Sequence, residues 1–319
     1  MVGIVWKVLM LLAKDFIETA EGLVFAVVDN GTEQGKALCF LRYMQNDQQW
    51  KKVDTAVANQ LLSEQYPQYL YFSASKEAYL HAVSAEQIMT HYQPRHRLKQ
   101  LLNSQPVDDV EVDLLILCRL FSAQGINLEE IGVTGSILIS VQQKSSDIDL
   151  VFYCREAFHL ARQVTRLLIQ QGECAELSHH DWEASYDRRG CDLTLDEYLW
   201  HEQRKYNKVL INQRKVDLSF VSDNPQETGV TKYKKLQAVT LKVRVTDDSL
   251  AFDYPSSYAI HHPQISFIIC YTATYTGQAK TGEWIEVSGV LEQASDGIQR
   301  IVVGSSREAR GEYIKVVHE

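Results

Sequence analysis

Two aspartates, Asp147 and Asp149, flank a single isoleucine in an otherwise apolar segment, and this spacing constrains the local fold strongly. In a β-strand, residues i and i+2 project to one face, and the residue between them projects to the other. A strand therefore places both carboxylates together while Ile148 and Leu150 enter a core. The pattern predicts a strand over residues 148–153, with both aspartate side chains on one face at its start.

Carboxylates at this spacing indicate a divalent metal site. Two like charges on a rigid strand repel each other strongly unless a cation lies between them. Ligands that are all oxygen atoms favour Mg²⁺ or Mn²⁺ over zinc. A third acid, Asp217, falls on the polar face of a second predicted strand, residues 216–221. Three acids on neighbouring strands would hold two metal ions about 3.5–4 Å apart, which suits an in-line phosphoryl displacement.

A Gly-Ser dipeptide, Gly135-Ser136, follows a short apolar strand, and ten residues separate it from Asp147. Glycine gives a phosphate room to approach the backbone, and a serine hydroxyl with nearby amides holds phosphate oxygens. The dipeptide, the gap, the Asp-Ile-Asp sequence and a later apolar-flanked Asp217 resemble the signature of the DNA polymerase β-like nucleotidyltransferase superfamily. This resemblance covers roughly residues 110–221.

The resemblance implies transfer of a nucleoside monophosphate from an NTP to an acceptor hydroxyl, with release of pyrophosphate. Gly135 and Ser136 would hold the triphosphate. Asp147 and Asp149 would bind two Mg²⁺ ions, with Mn²⁺ as the alternative metal. Asp217 would bind the catalytic metal and help to deprotonate the acceptor. The acceptor is RNA, a protein or a small molecule, and the whole chain also resembles, more loosely, predicted archaeal-type nucleotidyltransferases of undefined substrate.

The third carboxylate and the activity itself have alternatives. Sixty-seven residues separate Asp149 from Asp217, which is a long insertion for this superfamily. Asp192 and Asp196 compete for the role of third acid, although a helix start also explains Asp196. The alternative function is a catalytically silent module that keeps the nucleotidyltransferase fold and binds RNA or a protein.

Cations are concentrated around Asp217. Between positions 204 and 244 there are ten Lys or Arg residues and three acids, in a chain whose net charge is -9. This concentration is typical of a surface that receives a triphosphate or a polynucleotide, and also of solvated helix and loop faces. We expect Arg204, Lys205 and Lys208 to contact phosphates, because their segment precedes the strand that contains Asp217.

Length and patterning predict a mixed α+β fold in several domains. The 319 residues exceed one ordinary core, and 45% hydrophobic with 23% charged residues is typical of a folded globular chain. We expect an N-terminal α+β domain over residues 1–105 and a nucleotidyltransferase domain with a mixed sheet and helices over 106–238. Short alternating strands over 239–319 predict a small all-β, barrel-like domain or a sandwich.

Several other residues are weaker candidates. Two histidine clusters, His179-His180-Asp181 and His261-His262, contain metal-ligating types, but adjacent residues on an extended chain point in opposite directions. Aromatic residues of the last domain form either a base-stacking platform or a core. They include Tyr271, Tyr275 and Trp284.

The six cysteines are scattered without a C-x-x-C pair, which predicts reduced thiols in a cytoplasmic protein. The apolar run over residues 4–13 contains Lys7 and is shorter than the roughly 20 residues that span a bilayer. We therefore expect a buried first element and no membrane association.

Overall fold

The computed structural model of the protein describes residues 10–47, 49–76, 78–223, 233–306 and 309–317. The chain divides into two compact units, Met1–Cys154 with Asp223–Gln226 and Arg155–Ser222 with Glu227–Glu319. The predicted mixed α+β class is confirmed, with six α-helices in the described ranges. None of the described helices is long and apolar enough to cross a membrane. The three-domain division stays a prediction, and most of the first apolar run lies outside the described residues.

A seven-stranded antiparallel sheet forms the centre of the first unit. Its strand order is β5-β6-β3-β2-β1-β7, and β4 pairs with β3. Alternate residues of the central strands face opposite sides, so Ile17 and Phe25 pack with helix α1 while Phe16 and Val24 face the other way. The elements are β1 (Phe16–Thr19), β2 (Leu23–Val27), β3 (Lys36–Asn46), β4 (Gln49–Lys52), α1 (Thr55–Gln65), β5 (Leu70–Ser73), β6 (Ala78–Ser84) and β7 (Ile88–Tyr92).

Two helices and an antiparallel strand pair complete the first unit. They are α2 (Pro94–Leu102), α3 (Asp109–Ala123), β8 (Ile131–Thr134) and β9 (Ile148–Phe152). Asp108 caps α3 by accepting the Glu111 N–H at 2.9 Å. A Cβ at Gly132 would lie 2.6 Å from the backbone of α2, so this glycine lets the helix pack directly on β8.

The second unit begins with three helices and a strand pair. The helices are α4 (Arg155–Gln171), α5 (His179–Arg189) and α6 (Leu195–Gln203), and the strands are β10 (Lys208–Ile211) and β11 (Arg214–Phe220). Capping boxes begin both α5, with Ser178 and Asp181, and α6, with Thr194 and Glu197. We expected an extended chain at His179-His180-Asp181. This expectation is wrong, because these residues form the first turn of a capped helix.

The last six strands form one sheet, and five of them close into a barrel, which is one of the two arrangements that the alternating pattern allowed. β12 pairs with both β13 and β15, β15 pairs with β16, and β16 pairs with β14, so that five strands close on themselves. Side chains such as Tyr258, Ile268 and Ile285 fill the interior, and Tyr275 is also buried. The strands are β12 (Tyr233–Asp247), β13 (Ser256–His261), β14 (Ile265–Cys270), β15 (Trp284–Ala294), β16 (Gln299–Val303) and β17 (Tyr313–Val316).

A buried histidine joins α6 to β17. The Nδ1 atom of His201 lies 2.6 Å from the Glu197 carbonyl oxygen, and its Nε2 accepts the Val316 N–H at 3.0 Å. Because one ring nitrogen donates and the other accepts, the imidazole is neutral. Burial lowers the pKa of His201 to about 4.

We expect the free energy of unfolding to fall as the pH drops from about 6.5 to about 4, since the unfolded chain then protonates His201 and the folded chain does not. This loss reaches about 3 kcal/mol. In urea denaturation, the stability advantage of the wild type over His201→Gln should be smaller at pH 4.5 than at pH 7. The exposed His180→Gln is the control, and an advantage of His201 that is equal at both pH values would contradict the neutral imidazole.

Candidate metal and phosphate site

The turn after β8 lies beside the start of β9. Thr134, the last residue of β8, is directly opposite Asp149 in the antiparallel pair. Gly135 has a φ of 70°, and a Cβ at this position would lie 2.5 Å from Asp149 Oδ2. Glycine is required here because a side chain would strain the backbone and displace the carboxylate. Two parts of the predicted signature are thus in contact.

Buried side chains anchor the turn that begins at Gly135. Leu138 and Ile139 are buried against Phe16, Val24 and Tyr43 of the seven-stranded sheet. Within the turn, the Val141 N–H donates to the Ser136 carbonyl oxygen at 3.0 Å. These contacts hold the backbone around Gly135 and Ser136 in one conformation, as a preorganised binding site requires.

The spacing predicted that Asp147 and Asp149 lie in one strand, and of the two only Asp149 lies within β9. Asp147 is exposed just before β9, and Asp149 is the half-buried second residue of this strand. A tight turn precedes them, in which the Ser146 N–H donates to the Gln143 carbonyl oxygen at 2.8 Å. No sequence pattern indicated that the charge of Asp149 acts on Tyr43 of β3. Burial raises the pKa of Tyr43, Arg42 opposes this shift, and the charge of Asp149 adds to it.

Asp217 lies in the second unit, on β11. The predicted alternation is confirmed, since Val216 and Leu218 are buried and Asp217 is half-buried. Lys208 of β10 is directly opposite Asp217, so two of the predicted site residues are neighbours. Burial lowers the pKa of Lys208, but the carboxylates of Glu202 and Asp217 outweigh that effect and the net pKa is raised.

The three cations that we expected to contact phosphates have carboxylate partners inside the second unit. Lys205 is 2% exposed, and its Nζ donates to Glu202 at 2.5 Å and to a backbone carbonyl at 2.9 Å. Lys208 forms an ion pair with the same Glu202. Arg204 pairs with Glu283 and stacks 4.2 Å from the Trp200 ring centroid. Their role in nucleotide binding stays a prediction.

Glu202 is the centre of this buried cluster. Burial alone would raise the pKa of Glu202, but the Lys205 and Lys208 ammonium groups outweigh it and lower that pKa to about 2. Burial lowers the pKa of Lys205 to about 8. Removal of one partner from such a cluster would leave an uncompensated buried charge, so Glu202 of α6 and Lys208 of β10 depend on each other.

The alternative acids and histidines have local explanations. Asp196 lies in the first turn of α6, where a carboxylate interacts favourably with the helix N-terminus. Asp192 accepts the Gly311 N–H at 2.9 Å, and His262 Nδ1 accepts the Ile265 N–H at 3.1 Å. Across the described ranges, no three His, Cys, Asp or Glu side chains are grouped closely enough to hold a metal ion by themselves.

The chain is similar over nearly its whole length to a protein from the archaeon Methanocaldococcus jannaschii. That protein bears the name "Uncharacterized protein MJ1086", and it is 31% identical over 343 aligned positions, which include 95% of this chain and 98% of the relative. The chain belongs to the family of this archaeal protein. The similarity extends through both compact units. No family model matches the chain, and no solved structure matches it.

We expect Gly135→Ala to lower the free energy of unfolding more than Gly31→Ala does. Both glycines have a positive φ, but a Cβ at Gly31 meets no atom within 4 Å, whereas a Cβ at Gly135 meets Asp149. The backbone strain should cost about 1–2 kcal/mol in each variant. Displacement of Asp149 should add about 1–3 kcal/mol in Gly135→Ala. Equal losses in urea denaturation would contradict the contact.

Proposed function

We propose that this protein is a metal-dependent nucleotidyltransferase that moves a nucleoside monophosphate from an NTP to an acceptor hydroxyl. The observation that supports the proposal is the contact between the Gly135 turn and the Asp149 carboxylate. In the proposal, the turn holds the triphosphate and the carboxylate holds the metal. The contact therefore places the two binding sites next to each other. The nucleotidyltransferase arrangement of the fold is part of the same proposal.

The residues fit Mg²⁺ or Mn²⁺. Asp147 and Asp149 offer oxygen atoms, which are the ligands that these ions prefer. Two carboxylates are sufficient, because Mg²⁺ keeps several waters and substrate phosphates usually complete its coordination. Because Gly135 has no Cβ, the Asp149 carboxylate lies directly against the turn, so the metal ligand is beside the backbone amides that would hold phosphate oxygens. The resemblance assigns Asp217 as the third carboxylate. When bound, the metal ions would neutralise charge on the triphosphate and on the transition state.

In the proposed reaction, the acceptor oxygen forms a bond to the α-phosphorus of the NTP. The bond from that phosphorus to the oxygen bridging the β-phosphate breaks, and pyrophosphate leaves with the electron pair. Asp217 takes the acceptor proton, while Gly135 and Ser136 hold the triphosphate in line. The proposal does not use Arg204 or Lys205, because Glu283 and Glu202 already bind these side chains. The expected compartment is the cytoplasm, and all six cysteines, each in the described residues, are free thiols.

Asp149→Asn should reduce transfer of label from α-³²P-NTP by at least about 100-fold, because it removes a metal ligand beside the phosphate turn. Asp217→Asn should cause a comparable loss, which tests the third carboxylate independently. Both variants should change the free energy of unfolding by less than about 1 kcal/mol. Asp187→Asn, an exposed acid in α5, removes the same charge and should retain full activity.

The labelled products separate the remaining alternatives. Incubation of the wild type with a cell lysate and each of the four labelled NTPs shows whether RNA, protein or a small molecule becomes labelled. Full turnover by Asp149→Asn would contradict the metal assignment. A wild type that labels no acceptor with either Mg²⁺ or Mn²⁺ would contradict transfer and favour the catalytically silent RNA- or protein-binding module.

A further inference from the structure

The barrel of the second unit closes in a specific strand order. Numbered along the chain from β12 to β16, its strands are neighbours in the order 1-2-3-5-4-1. The third and fifth strands, β14 and β16, are parallel, and the other closing pairs are antiparallel. This is the Greek-key order of the OB fold, which binds oligonucleotides and oligosaccharides on the face of its second and third strands and on the loops that follow its first and fourth strands. Because a fold by itself does not determine which ligand is bound, the ligand must be inferred from the side chains on that surface.

Three exposed side chains form a row across the outer face of this barrel. Arg244 of β12 is directly opposite His261 of β13 on one side and Trp284 of β15 on the other. Cβ atoms of such directly opposite residues are about 4.5–5.5 Å apart. Arg244 and His261 are exposed, and Trp284 is 42% exposed. The neighbours of Arg244 in β12, Val243 and Val245, are buried in the barrel, so the row faces outward.

The row continues along the same face in two directions. Lys242 precedes Arg244 by two residues in β12 and is also exposed. It is directly opposite Glu286 of β15, whose carboxylate accepts the Tyr313 hydroxyl and pairs with Lys315. Phe267 of β14 is directly opposite Ala259, which precedes His261 by two residues in β13. The Arg244 Nε donates to the Gly282 carbonyl oxygen at 3.1 Å, which orients the guanidinium. This outer face, defined by the Arg244, His261 and Trp284 row with Lys242 and Phe267, combines cations with aromatic rings.

We propose that this outer face binds single-stranded RNA. Trp284 stacks on a base, because an exposed indole offers an apolar ring of the right size for any base. Arg244 and Lys242 contact phosphates, and the exposed His261 ring, a donor and an acceptor, suits a 2′-hydroxyl. The net charge of -9 confines RNA to cationic parts of the surface. The RNA bound here would also be the acceptor of the nucleotidyl group. This assignment rests on the proposed function, whereas RNA binding itself does not.

The binding test uses fluorescence anisotropy with a fluorescein-labelled 12-nucleotide oligouridine. NTP is omitted and EDTA is present, so the result does not depend on nucleotidyl transfer. We expect the wild type to bind with a Kd of about 1–100 µM at physiological salt. Trp284→Ala should weaken binding at least about fivefold. Arg244→Ala should weaken binding and reduce the slope of log K against log salt by about 0.7.

Matched controls come from the first unit. Tyr79→Ala removes a ring that is 82% exposed, and Lys51→Ala removes an exposed cation of β4. Both should bind RNA like the wild type. Asp149→Asn should also bind RNA like the wild type. Normal RNA binding together with loss of nucleotidyl transfer in this variant would support both proposals. A wild type that binds RNA but transfers no label would contradict only the proposed function. Absence of RNA binding, or unchanged binding in Trp284→Ala and Arg244→Ala, would overturn the inference.

Discussion

The close approach of the Gly135 backbone to the Asp149 carboxylate is the constraint on which the candidate site depends. A Cβ at Gly135 would lie 2.5 Å from Oδ2, so the turn and the carboxylate are compatible only with glycine in this position. Pairing of β8 with β9 sets the register, and burial of Leu138 and Ile139 holds the turn on the sheet. Carboxylate oxygens suit a divalent cation, and the backbone amides of a turn suit a phosphate.

Features that depend on neighbouring residues in the chain could be predicted from the sequence. Alternation around Asp217 predicted its strand, and the pairing confirmed both the strand and the direction of its apolar face. Helix α4 ends at Gln171, and the next residue, Gly172, has the left-handed backbone conformation with which glycine commonly ends a helix. The contact between Gly135 and Asp149 is also local in the chain, because only thirteen residues lie between them.

Features that depend on distant parts of the chain could not be predicted. The charge of Asp149 raises the pKa of Tyr43, which lies in a strand more than a hundred residues earlier, and no local pattern indicates this proximity. The sequence shows the charge of Lys205 but not its burial beside Glu202, which makes it an internal ion-pair partner. Strand β13 contains only two large apolar residues, Tyr258 and Ile260, and its place in the barrel depends on its pairing with β12 and β14.

The binding of Mn²⁺ tests the central claim most directly. Electron paramagnetic resonance counts free Mn²⁺ during titration of the protein with an NTP analogue whose α,β-bridging oxygen is a methylene group, so that no transfer occurs. The metal assignment predicts that the protein retains Mn²⁺ together with the analogue and that the Asp147→Asn and Asp149→Asn double variant loses this Mn²⁺. Equal Mn²⁺ binding by the wild type and a folded double variant would contradict it.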